Sequence, residues 1–245
     1  MLVLRRPPGR FARVGHRGAS ALASENTLEA FELAVALGCD MLEFDVLPLR
    51  DGTLVLAHSN DLYEVAHGAA RGRVRRRTLD QLRTVAPSLP TLDDALAFCR
   101  ERLPGIALQV DLKRRGVEED VVAALRRHGV IDRAWVSGFD PASLRRMADA
   151  APDIPRSYTL PRDRLGISRR RLPQRLPLLL AQANANAATL HYSLASREAI
   201  RRAHHVGAAV YVWTVDDAAL AQRLVAAGAD GIITNDPRVF SEVTT

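Results

Sequence analysis

Met41-Leu42-Glu43-Phe44-Asp45-Val46 is followed, after a short link, by Asp51-Gly52-Thr53 and then Leu54-Val55-Leu56-Ala57-His58. The first run is apolar except for two acids spaced two apart. Strands of a parallel sheet covered by helices on both faces carry such near-continuous apolar runs. Asp-Gly is a strong hairpin signal, so Leu54–Ala57 reads as a short return strand. Glu43 and Asp45 point to the same side of their strand. A charge in so apolar a run needs a partner if it is buried, which marks the pair as functional.

On either side, β-type runs alternate with amphipathic helical runs. Upstream, Phe11–Gly15 predicts a strand and Glu25–Leu37 a helix, with Leu28, Phe31 and Val35 at spacings of three and four. Downstream, residues 59–89 have no clear period and many charges, and read as an excursion outside the repeat. The pattern resumes where Thr91 caps a helix to about Arg102, with Asp94 at the capping-box position. Strands are expected at Ile106–Leu112, Ala134–Ser137, Arg156–Leu160, Ala188–Tyr192, Ala208–Thr214 and Gly231–Thr234. Helices are expected at Glu118–His128, after Asp140-Pro141, and at Pro177–Ala185, Ser196–His205, Asp216–Ala227 and Pro237–Val243. Leaving the hairpin return aside, eight strands alternate with about eight helices, which is the arithmetic of an α/β fold of the TIM (β/α)8 barrel type. An open doubly wound sheet is the runner-up, but Gly15-His16-Arg17-Gly18 does not fit its G-x-G-x-x-G phosphate loop. The 245 residues suit one barrel domain, 1–245, with residues 59–89 as an insertion after the second strand.

A composition 47% hydrophobic and 25% charged excludes collagen-like, disulfide-stapled and fully disordered chains. Cys39 and Cys99 stand in apolar runs without a C-x-x-C motif and read as buried free thiols of a reducing compartment. No apolar stretch follows Arg5-Arg6 as a secretory signal requires, and none is long enough for a membrane span. A cytoplasmic protein without a membrane span is expected. The formal net charge of +6 raises a different class, binding to nucleic acid or an anionic surface, through the clusters Arg71–Arg77 and Arg162–Arg175. No aromatic residue interleaves with either cluster, so a solvated arginine-rich surface is favoured and no nucleic-acid partner is expected. Nothing in the sequence specifies an oligomeric state.

In a parallel barrel the functional residues gather at the C-terminal ends of the strands. Those ends carry His16-Arg17, Glu43 and Asp45, His58, Asp111 and Lys113, Ser137, His191 and Trp213. Three carboxylates, Glu43, Asp45 and Asp111, without cysteine suit one hard divalent cation, Ca²⁺ or Mg²⁺, with Mn²⁺ a third option. His16 and His58 beside these acids read as a general acid/base pair, because imidazole titrates near neutrality. His128, His204 and His205 sit late in helices and read as structural. Arg17 and Lys113 form a trap for a phosphate. Lys113 is the single lysine among 34 basic residues, in a chain that otherwise uses the wider guanidinium.

The runs His16-Arg17-Gly18, Glu25-Asn26-Thr27-Leu28-Glu29-Ala30-Phe31, Gly38–Val46 and Asp51–His58 resemble the glycerophosphodiester phosphodiesterase family. So do Pro90-Thr91-Leu92, Asp111-Leu112-Lys113, Ser137-Gly138-Phe139-Asp140, Val212-Trp213-Thr214-Val215 and Gly228–Asn235. The resemblance implies a TIM barrel with a small insertion and a divalent metal on Glu43, Asp45 and Asp111. It implies His16 and His58 as acid and base, and Arg17 and Lys113 on the phosphate. The activity it implies is metal-dependent hydrolysis of a small-molecule glycerophosphodiester to glycerol 3-phosphate and an alcohol. A phospholipase-like activity on lysophospholipid or phosphoinositide headgroups is the alternative within the two-histidine barrels. Glu25, Asn26, Asp61, Ser137, His191 and Trp213 are expected in the pocket or behind the catalytic groups. The chain departs from the family pattern at Ser24 for proline, Ser59 for the aspartate after the histidine, Asp111 for glutamate, and Asn235 where aspartate is common. Leu62–His67 stands where the family usually reads R-T-T.

Overall fold

A computed structural model describes residues 2–7, 9–162 and 168–244. β1 (Ala12–His16) leads through α1 (Leu28–Ala36) to β2 (Met41–Pro48), which turns back as β3 (Leu54–Leu56). The excursion holds α2 (Leu62–Val65), a 3₁₀ turn at Val74–Arg76 and α3 (Leu79–Arg83). The repeat then runs α4 (Leu92–Arg102), β4 (Ala107–Leu112), α5 (Glu118–Arg127), β5 (Ala134–Gly138), α6 (Pro141–Ala150) and β6 (Arg156–Leu160). It continues with α7 (Leu172–Ala183), β7 (Ala187–His191), α8 (Arg197–His205), β8 (Ala209–Trp213), α9 (Ala218–Ala226) and β9 (Gly231–Thr234). Every neighbouring pair in the ring β1-β2-β4-β5-β6-β7-β8-β9 is parallel, and β1 bonds to both β2 and β9, so the sheet closes. β3 pairs antiparallel with β2 and stands outside the ring. This is the expected eight-stranded TIM barrel.

The alternation of side chains along each strand sorts the residues into layers. Leu42, Phe44, Val46, Leu108 and Val110 face outward into the apolar shell beneath the helices. Met41, Trp135 and Tyr211 fill the lower interior, with the Trp135 and Tyr211 rings 4.6 Å apart. The Tyr211 hydroxyl donates to the Leu4 carbonyl at 3.1 Å, so the N-terminal segment closes the floor. One pleat higher, the inward positions turn polar. Glu43 and Asp45 follow Met41, Gln109 and Asp111 follow Ala107, and Ser137 follows Trp135, all buried. A third cluster, with Leu62, Val74 and Leu82 packed on Leu47 and Val55, seats the excursion on the β2–β3 hairpin.

Most bounds shift by no more than two residues, and three elements differ from the sequence reading by more than that or in type. The helix expected at Glu25–Leu37 starts at Leu28, because Thr27 caps it by accepting the Ala30 N–H and Asn26 is left-handed at φ 58°. The helix expected at Pro177–Ala185 starts at Leu172. Burial of Leu172, Leu176, Leu180 and Ala183 on one face outweighs the single bond that the internal Pro177 removes. The closing helix expected at Pro237–Val243 is a 3₁₀ turn, Pro237–Glu242. The Thr91–Asp94 capping box forms with both reciprocal bonds at 3.0 Å. Both cysteines are buried and free, and burial pushes each thiol up to about 12. Residues 163–167 of the basic stretch Arg162–Arg175 lie outside the described residues. Among the described residues, no helix is long and apolar enough to cross a membrane.

The turn after β1 depends on Gly18. Its φ is +83°, and a Cβ there would lie 2.6 Å from the Ala30 carbonyl carbon and oxygen. Gly52 has a similar φ of +86° but nothing within 4 Å. Gly18→Ala is expected to cost well over ~2 kcal/mol, and Gly52→Ala only about 1 kcal/mol, in urea unfolding monitored by circular dichroism.

Candidate active site

Strand register assembles the site. Parallel pairing sets His16 beside Glu43, Asp45 beside Asp111, and Asp111 beside Ser137. Asp45 is fully buried. Its Oδ1 lies 2.5 Å from Lys113 Nζ and its Oδ2 3.0 Å from Arg17 Nε. Asn26 grips it from both sides: Nδ2 donates to Asp45 Oδ2 at 3.0 Å, and Oδ1 accepts the Asp45 N–H at 3.1 Å. Burial pushes the Asp45 carboxyl up, but Lys113, Arg17 and the Asn26 amide together hold it well below the ordinary carboxylate range.

Lys113 Nζ also donates to Asp111 Oδ2 at 2.6 Å. The other Asp111 oxygen accepts from Ser137 Oγ at 2.6 Å, and Ser137 accepts from Gln109 Nε2 at 3.0 Å. Glu43 Oε2 accepts the Arg17 backbone N–H at 3.0 Å and stands 3.9 Å from His16 Nε2. Burial, and then the charges of Asp45 and Asp111, raise the Glu43 carboxyl well above its ordinary value. Glu43, Asp45 and Asp111 offer oxygens within 4.8 Å of one another. Lys113 and Arg17 face these three acids, and Arg17 is shared with Glu25 at 2.6 Å. Three converging, buried carboxylates with an all-oxygen donor set fit a hard divalent cation.

The His16 ring is oriented by a chain of groups. Its Nδ1 lies 2.7 Å from Asn235 Oδ1. Asn235 donates from Nδ2 to Asp216 Oδ2 and from its backbone N–H to Asp216 Oδ1, both at 2.7 Å. A carboxylate only accepts, so the amide turns its nitrogen to Asp216 and its oxygen to His16. Nδ1 is therefore the donor, and Nε2 of the neutral ring is left as the acceptor. Burial, reinforced by the Arg17 charge, lowers the His16 pKa to about 4. His58 is exposed at the mouth, and desolvation followed by the Arg17 charge lowers its pKa as well. Both histidines line one cavity of about 60 Å³ together with Arg17, Glu43, Asp111 and Lys113. Trp213 forms part of its wall, 6.5 Å from the His16 ring.

The remaining expectations divide. Asn26 and Ser137 stand directly behind the acids, and Glu25 reaches the site through Arg17. His191 lies behind Trp213, edge to face at 5.7 Å. Asp61 does not join the site: it is exposed and caps α2 by accepting the Tyr63 N–H at 3.0 Å. Arg17 and Lys113, read from the sequence as phosphate ligands, both rest on carboxylates. Asn235, Asp216 and Gln109 were not anticipated. Barrel closure brings Asn235, just after β9, against His16 at the end of β1.

A (β/α)8 barrel with its ionisable groups gathered at the C-terminal strand ends has the organisation of an enzyme of that fold. The chain belongs to the Glycerophosphoryl diester phosphodiesterase family, whose model matches residues 16–239. It is 27% identical to the glycerophosphodiester phosphodiesterase of Caldanaerobacter subterraneus subsp. tengcongensis, across 93% of this chain and 95% of that protein. Two solved structures share the fold. The glycerophosphodiester phosphodiesterase of Agrobacterium tumefaciens str. C58 superposes with a TM-score of 0.78 at 24% identity, covering 95% of this chain and all of the other (100%). A phosphodiesterase of Oleispira antarctica, solved in complex with the product sn-glycerol-3-phosphate, gives a TM-score of 0.79 at 23% identity, covering 94% and 96%.

The Asn26 grip on Asp45 is separable from its backbone strain. Asn26→Ala removes hydrogen bonds to a buried charge and puts alanine in the left-handed region, for an expected loss of about 3 kcal/mol in denaturant unfolding. Asn26→Gly keeps the first loss and relieves the second, so it is expected to be about 1 kcal/mol more stable than Asn26→Ala.

Proposed function

We propose that this chain hydrolyses glycerophosphodiesters to glycerol 3-phosphate and an alcohol. The observation that carries the reading is one cavity shared by His16, His58, Arg17 and Lys113, with three convergent carboxylates beneath them. Two imidazoles facing one small space supply both a proton acceptor and a proton donor. Family membership points to the same substrates.

With its Nδ1–H donated in a hydrogen bond to Asn235 Oδ1, His16 takes up the proton of the glycerol 2-hydroxyl at Nε2 as that oxygen bonds to phosphorus. The bond from phosphorus to the departing alcohol breaks, and protonated His58 delivers a proton to the alcohol oxygen. The diester's negative charge offsets the Arg17 and Lys113 cations around His58, which favours its protonated form. In the second half His58 takes a proton from water as the water oxygen bonds to phosphorus. His16 returns its proton to the 2-oxygen as the ring opens, and glycerol 3-phosphate results. Arg17 and Lys113 hold the phosphoryl oxygens through this sequence. Glu43, Asp45 and Asp111 would hold the divalent cation, Ca²⁺, Mg²⁺ or Mn²⁺, which when bound supplies Lewis-acid stabilisation of phosphoryl charge and lowers the pKa of a nearby hydroxyl.

Purified protein is expected to release glycerol 3-phosphate from a panel of glycerophosphodiesters, to stop in excess EDTA and to recover when a divalent cation is restored. Full activity in chelator overturns the metal reading. His16→Ala and His58→Ala are each expected to lower kcat by about 10²–10⁴-fold. Two variants near wild type would remove the acid/base assignment. Lys113→Arg probes the fit between the acids: a guanidinium cannot occupy the same space between Asp45 and Asp111. A loss of about 10²-fold in kcat with an unchanged circular dichroism spectrum is expected.

A further inference from the structure

Beyond His58 the mouth opens into a cavity of about 590 Å³. It shares His58, Lys113 and Phe139 with the small catalytic cavity, so the two spaces adjoin. Its arginines come from two places. Arg75 is supplied by the 3₁₀ turn of the excursion, and Arg114 and Arg115 by the segment after β4. Among the described residues, Asp140 is the one carboxylate in this lining, and it is already held by both Arg115 Nε and Arg115 Nη2. Neither Arg75 nor Arg114 has an ion-pair partner among the described residues. Arg75 Nε is buried without a hydrogen-bond acceptor. A guanidinium N–H shut away from water without an acceptor is costly, and a bound anion would supply one.

A second cavity, of about 610 Å³, flanks His58 on its other side and is lined by Glu25, Glu64 and mostly apolar side chains. Among the described residues it meets the catalytic cavity only at His58. The two flanks would favour opposite charges on an alcohol protonated by His58, and the cationic one shares more of its wall with the phosphate site.

We infer that the arginine-lined cavity receives the leaving alcohol and selects glycerophosphodiesters whose alcohol itself carries an anion, a phosphomonoester or a second phosphodiester. This rests on the hydrolytic reading given above. The phosphate under attack sits over Lys113 and Arg17, and the alcohol's own anion lies between Arg75 and Arg114. Because the attraction is electrostatic and at a solvent-open mouth, the preference falls as salt rises.

The test compares kcat/KM for three diesters: glycerophosphocholine with a cationic alcohol, glycerophosphoglycerol with a neutral one, and 1,3-bis(glycerophospho)glycerol with an anionic one. At low salt the anionic substrate is expected to lead glycerophosphoglycerol by about tenfold or more. Arg75→Ala and Arg114→Ala are expected to erase that lead while leaving glycerophosphoglycerol turnover unchanged. Arg75→Glu is expected to move the preference toward glycerophosphocholine. A wild-type preference for glycerophosphocholine, or equal losses on all three substrates in the arginine variants, overturns the inference. Calorimetric binding of 1,3-bis(glycerophospho)glycerol to wild type and to the Arg75→Ala, Arg114→Ala double variant decides it separately from turnover. If no diester is cleaved, the hydrolytic reading falls, and arginine-dependent binding still reports on the cavity.

Discussion

The Asp45 carboxylate lies wholly inside the barrel, held by Lys113 at 2.5 Å, Arg17 at 3.0 Å and the Asn26 amide at 3.0 Å. Desolvating such a group is expensive, and the expense is offset only when good partners surround it. Each partner comes from a different part of the chain. Lys113 follows β4, Arg17 follows β1, and Asn26 precedes α1. The left-handed backbones of Arg17 and Asn26 serve this arrangement, as does the tight turn at Gly18 between them. The two cations then remain charged and close-packed at the mouth.

A second dependency runs around the barrel's seam. His16 closes β1, and its ring is oriented by Asn235, which follows β9 and is itself clamped by Asp216. The hydrogen bonds that close the sheet between β1 and β9 thus also decide which imidazole nitrogen faces the cavity. Closure and proton placement are one structural event here. The asparagine is suited to the task because its amide has a donor end for Asp216 and an acceptor end for His16.

Much of this was legible in the sequence. Arg156–Leu160 and Gly231–Thr234 have the expected bounds, because turn residues close each short run on both sides. The acid pair on β2 could be read from its spacing, and Lys113 from its isolation among arginines. The start of α7 was hidden by Pro177, whose usual place at a helix start misleads when an apolar face continues through it. Helices as short as α2 and α3 show no period to detect. Asp61 follows His58 closely in sequence, but the chain turns between them and spends its carboxylate on a helix cap. Asn235 could not be placed beside His16 from local pattern, since 219 positions separate them and only the closed ring joins them.

The apolar lower interior, with Trp135 against Tyr211 and the Tyr211 hydroxyl tied to Leu4, makes the barrel a cul-de-sac. Whatever reaches His16 must come and go by the same doorway. For the proposed two-stage hydrolysis that sets a common side of approach: the alcohol leaves and the water enters from the mouth around His58. In a hydrolysis of the kind proposed, the sealed floor would deny solvent a back entrance to the cyclic phosphate.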